Sequence, residues 1–133
     1  MQKELVSLTV LLLFAAGPAT AQGLQDYDGA QLFERFCASC HGVAGRGDGP
    51  VASAVPALVP DVTRLAERQG GNFPEDDVRR IIDGRAVVIY HGTRYMPVWG
   101  YEFWVEEGAD IEAQKRANKI INKLVGYIRA IQR

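Results

Sequence analysis

"CASCH", residues 37–41, contains the only two cysteines of the 133-residue chain. The fold turns on what those thiols are for: a disulfide, half of a metal site, or an anchor for something larger. The start of the chain bears on the compartment in which they work. Lys3 precedes the apolar run "LVSLTVLLLFAA", and Gly17, Pro18 and "ATA" follow, which puts small residues at Ala19 and Ala21. That is the pattern of a secretory signal over residues 1–21, with cleavage before Gln22. The apolar run covers residues 5–16, short of the roughly 20 residues a spanning helix needs. Because Glu4 interrupts the positive start, an uncleaved anchor stays as the alternative.

In an exported protein two cysteines are by default a disulfide, but a ring closed over residues 37–40 constrains little of the unfolded chain. A redox-active C-x-x-C needs βαβ surroundings, and the pattern here is helical. Zinc fits poorly: Cys37, Cys40, His41 and His91 are the four candidate ligands, Cys40 and His41 are adjacent, and the paired histidine half is missing. Covalent haem remains, for which C-x-x-C-H is the attachment signal. On a helical turn, Cys37 and Cys40 point to one side, where each can add to a vinyl group of the porphyrin. His41 is then held beside the iron as a neutral imidazole ligand.

With His41 on one axial position, the chemistry depends on the other. Removal of residues 1–21 leaves Met96 as the only methionine, in the loop "YMPVWG". A lone methionine commonly fills core space, but a soft thioether in a loop between two helices of an iron-carrying protein is a natural sixth ligand. His/Met coordination tunes the iron toward higher potential. His91 is the rival, and its bland reading is a polar loop histidine before Gly92.

Without residues 1–21 the chain has 112 residues, one small domain over 22–133. The net charge of −1 offers no field for nucleic acid or an anionic membrane. Charge is nonetheless polarised: Glu102, Glu106, Glu107, Asp110 and Glu112 cluster, while residues 115–133 carry six cations and no acid. Either this orients a partner or it serves a helix dipole.

The predicted class is all-α. Asp28 caps a first helix through "GAQLFERFCASC", with Leu32, Phe33 and Phe36 as apolar contacts. A glycine-rich loop follows, then a proline-bearing stretch with one short helix over residues 61–69. A further helix covers "PEDDVRRIID", opened by Pro74 with Glu75, Asp76 and Asp77 and closed by Gly84. "RAVVIY" has strand composition but no partner, and reads as loop or helix end. Ala117, Ile120, Ile121, Leu124, Val125, Ile128 and Ile131 recur at three- and four-residue steps, the stripe of a long amphipathic helix. So few helices leave little regular core, so something else fills the middle.

Taken together, the chain resembles a class I c-type cytochrome, the bacterial periplasmic mono-haem kind. Such proteins cross an N-terminal and a C-terminal helix beside the haem. Gly29 and Phe33 match the family's small and aromatic contact residues, and Leu124 and Tyr127 its "L-x-x-Y"; the resemblance spans residues 27–131. It also implies a proline carbonyl on the other nitrogen of the proximal imidazole. Gly49-Pro50 matches that pattern, with Pro56 in reserve. Such a bond fixes the tautomer and raises the basicity of the ring.

"GRGDGP" lacks the preceding strand and following Lys-Ser/Thr of a phosphate loop, and its glycines suit a sharp turn at the haem edge. Tyr90, Tyr95, Trp99 and Trp104 either line the pocket or pack elsewhere. Arg46, Arg64, Arg85 and Arg94 are four candidate partners for the haem propionates, with no choice among them. The acids of "PEDD" answer the helix dipole rather than calcium. The expected activity is one-electron transfer with both axial ligands retained, not catalysis. The resemblance implies partners such as a membrane oxidase, a bc1-type complex or a periplasmic dehydrogenase. A fixed subunit of such a complex, or a haem enzyme or gas sensor with a labile sixth site, are the alternatives.

Overall fold

The computed structural model describes residues 23–85 and 94–133. The signal reading, the run after Arg85, Tyr90 and His91 lie outside them. Among the described residues there are six α-helices and no strand: α1 (Gly29–Phe36), α2 (Ala38–His41), α3 (Leu65–Arg68), α4 (Glu75–Asp83), α5 (Trp99–Glu106) and α6 (Ile111–Ala130). No described helix is long and apolar enough to cross a membrane.

Helix α6 organises the rest. Asp110 caps it by accepting from the Ala113 N–H, and its buried face runs through Ala113, Ala117, Ile120, Ile121, Leu124, Val125 and Ile128, the predicted stripe extended by one turn. Ile131 ends the helix rather than continuing it. Helices α1, α4 and α5 all pack against this face.

Helix α1 starts where Asp28 and Gln31 exchange bonds in a capping box, 2.8 and 2.9 Å, which satisfies donors that a helix start otherwise leaves unpaired. Its crossing with α6 needs Gly29. A β-carbon there would lie 2.3 Å from the Lys123 carbonyl oxygen and 2.8 Å from the Tyr127 β-carbon. One turn on, the rings of Phe33 and Tyr127 meet at 5.2 Å, and Leu32 and Leu124 are fully buried. The crossing predicted from these residues is therefore formed.

Helix α4 begins one residue later than its sequence suggests, with Pro74 at the cap, and ends at Gly84 in the left-handed region (φ 73°), a conformation that glycine enters without penalty. Of the acids in its first turn, Glu75 pairs with Arg79 and Arg129, and Asp77 with Arg80. The short helix expected over residues 61–69 is a 3₁₀ turn, Val62–Arg64, running into α3. Helix α5 carries no start signal in the sequence. "WGYEFWVE" has apolar residues all round and no side-chain cap, so neither periodicity nor a start signal marks it.

Candidate functional site

Residues 37–41 form a compact turn. The N–H of His41 donates to the Cys37 carbonyl at 2.8 Å and that of Cys40 to the same oxygen at 3.2 Å. The helical geometry expected for the motif is thereby present, and Cys37, Cys40 and His41 all face one cavity of about 470 Å³. The two cysteines are unpaired. Burial, and secondarily the neighbouring Cys40, push the Cys37 thiol up to about 12, which keeps it protonated. Among the described residues no three His, Cys, Asp or Glu side chains cluster for a metal.

The cavity is walled by α1, the loop before α3, α4 and the segment leading into α5. Phe36, Trp99 and Phe103 interlock at 5.2 to 5.5 Å between α1 and α5, and Phe36 and Trp99 present themselves to the cavity. Met96 is in its wall as well. Hence the structure brings the thiols, the imidazole and the thioether named from sequence to a single apolar space. Tyr95 also lines it, whereas Trp104 is elsewhere, donating its indole N–H to the Asp110 carbonyl at 3.0 Å.

His41 is held from behind. Its Nδ1 lies 3.2 Å from the carbonyl oxygen of Pro60, which leaves Nε2 as the free ligand atom and keeps the Nδ1–H tautomer. Burial holds the ring below its ordinary value of 6.5, partly countered by the Pro60 bond, so the neutral form that a metal takes is favoured.

This corrects the expectation for Pro50 and for its reserve, Pro56. Gly49 and Val51 donate to the Cys40 and Ser39 carbonyls at 3.0 and 3.1 Å, which pins Pro50 against the carbonyl end of α2. The later stretch reaches the histidine instead, because the intervening loop folds tightly onto it: a β-carbon on Gly47 would lie 2.5 Å from the Val59 carbonyl oxygen. Pro50, Pro56 and Pro60 look alike in the sequence, and only the path of the glycine loop separates them.

The four arginines also separate. Arg64 pairs with Glu67, Arg85 with Asp83 at 2.6 Å, and Arg46 is exposed. Only Arg94 lines the cavity. Its Nη2 donates to the carbonyls of Ile81 and Pro97 at 2.6 and 3.2 Å, while its buried Nε has no partner among the described residues. A buried unpaired donor is costly, and no carboxylate of the described residues answers it.

These features fit a haem. The cavity is in the size range of small-molecule sites and overwhelmingly apolar. Two thiols, an imidazole and a thioether supply attachment and axial donors. Leu58, 95% exposed, is in the cavity wall and would be covered by the macrocycle, and Arg94 offers a cation to its carboxylates.

No curated protein and no solved structure matches the chain. The family model for Cytochrome c matches residues 27–98, which includes the CASCH turn, the Pro60 carbonyl, Arg94 and Met96 and amounts to more than half of the chain. The chain therefore belongs to the cytochrome c family.

Proposed function

We propose that this protein is a mono-haem electron carrier of the class I kind, exported to the periplasm by residues 1–21 and holding its iron between His41 and Met96. Family membership supplies the coarser statements: a c-type cytochrome with an all-α fold, carrying covalently bound haem c with its iron, in haem-based electron transfer with redox protein partners. The single observation that carries the finer reading is that Cys37, Cys40, His41 and Met96 share one apolar cavity.

When bound, the haem supplies a one-electron couple between ferric and ferrous iron. Cys37 and Cys40 fix it through two thioethers. His41 offers Nε2, while the Pro60 carbonyl holds its other nitrogen, and Met96 offers a soft donor that favours the ferrous state. Phe33, Phe36 and Trp99 keep water from the site, so little rearranges around a change of charge. Arg94 would offer its cation to the haem carboxylates. A membrane oxidase, a bc1-type complex or a periplasmic dehydrogenase would exchange the electron, either transiently or with this chain as a fixed subunit.

Carbon monoxide tests the reading. With both axial positions held by the protein, the reduced form takes up no carbon monoxide at neutral pH and cycles reversibly with one electron. Ready binding would instead indicate an open sixth position and an enzyme or gas sensor.

A further inference from the structure

The carbonyl that holds His41 belongs to a strap, residues 60–65, and that strap is tied down by residues just beyond α6. Gln132 donates from Nε2 to the Val62 carbonyl at 2.7 Å and accepts at Oε1 from the Ala66 N–H at 2.9 Å. Arg133 donates from its backbone N–H to the Thr63 carbonyl at 3.0 Å, from Nε to Thr63 Oγ1 at 2.7 Å, and from Nη2 to Asp61 Oδ2 at 3.0 Å. Thr63 is the one buried polar residue of the described core, and Asp61 directly follows Pro60. On its other side the strap is held by the glycine loop, where the Val62 N–H donates to the Gly45 carbonyl at 2.8 Å.

We propose that Gln132 and Arg133 are positioning residues for the axial histidine: by clamping Asp61, Val62 and Thr63 they hold the Pro60 carbonyl at His41 Nδ1 and so set the basicity of the imidazole. The proposal rests on the haem reading above. A firm Nδ1–H···O bond makes the ring a stronger donor, which stabilises ferric iron. Loosening the clamp weakens that donation and raises the midpoint potential, although neither residue lines the cavity. A purely structural role would lower stability and leave the potential alone.

The test uses the holoprotein and three variants: Gln132→Ala/Arg133→Ala, Thr63→Val, which attacks the clamp from the strap side, and Arg129→Ala as a control. Arg129 is on the last turn of α6, just before the clamp residues, and pairs with Glu75, away from the strap. Two quantities are read in each: the midpoint potential, and the exchange rate of the His41 Nδ1 proton by nuclear magnetic resonance. The expected result is a higher potential and faster exchange in both clamp variants, and neither change in Arg129→Ala. Unchanged potential and exchange in the double variant, or equal changes in the control, would overturn the proposal. A parent protein without pigment would bring down the haem reading instead, and the proton exchange, measured on that same protein, would still decide whether the clamp acts on His41.

Discussion

The two sides of the cavity are built differently. On the histidine side, regular backbone places the functional groups: α1 crosses α6 at Gly29, the CASCH turn continues from α1, and the Pro60 strap is bonded to both the glycine loop and the residues after α6. On the methionine side, Met96 lies between helices, and the described bonds that hold its segment come from the Arg94 side chain to the Ile81 and Pro97 carbonyls. The first side is ordered by the polypeptide itself. The second leaves a buried Nε without a partner among the described residues. Polypeptide order holds His41 in place, whereas Met96 lies on the less braced side.

The largest expected effect breaks the histidine side chemically. Cys37→Ala/Cys40→Ala abolishes covalent pigment, and Cys40→Ala alone leaves at most one thioether with a lower yield of holoprotein. Intact mass and haem staining after denaturation read both. Normal covalent pigment in either variant contradicts attachment at these thiols.

Next comes the frame. Gly29→Ala forces a β-carbon into the Lys123 carbonyl, and overpacking of this kind costs about 1–3 kcal/mol or more. Denaturant unfolding should show the loss. A midpoint equal to that of the parent would mean that the crossing is looser than described.

A smaller effect sharpens the methionine side. Arg94→Gln removes a cation from the cavity wall, which disfavours the extra electron. If the lost attraction is about 1 kcal/mol, the midpoint potential falls by roughly 40 mV for one electron. No fall in the potential would place the haem carboxylates away from Arg94.

The smallest effect concerns pH. The hydrogen bond from Arg85 holds the Asp83 carboxyl below its ordinary 3.8. A depressed folded value stabilises the protein above the unfolded value, and that contribution disappears as the pH falls through the folded one. Asp83→Asn should therefore lower stability slightly at neutral pH and flatten its decline below about pH 4. A parallel decline in parent and variant would remove this pair from the account.

The contrast between the sides also explains what was legible in the sequence. CASCH, Asp28, Gly29, Phe33 and the α6 stripe are readable because local spacing dictates their geometry, and Met96 stands out as the only methionine after residue 21. Helix α5 is not readable, since its aromatic residues point all ways and nothing caps it. Pro60 is not legible for a different reason: three prolines, Pro50, Pro56 and Pro60, lie between the motif and α3, and which one meets His41 depends on tertiary folding of the glycine loop. Likewise, nothing in the sequence separates Arg94, which lines the cavity, from Arg64 and Arg85, which pair with carboxylates of their own.

The most direct test is the ferric absorption spectrum of the purified protein beside that of Met96→Ala. With haem attached at Cys37 and Cys40 and iron held by His41 and Met96, the parent shows a weak far-red band, and the variant loses it while keeping its covalent pigment. A colourless parent, or a coloured one without that band, would contradict this arrangement.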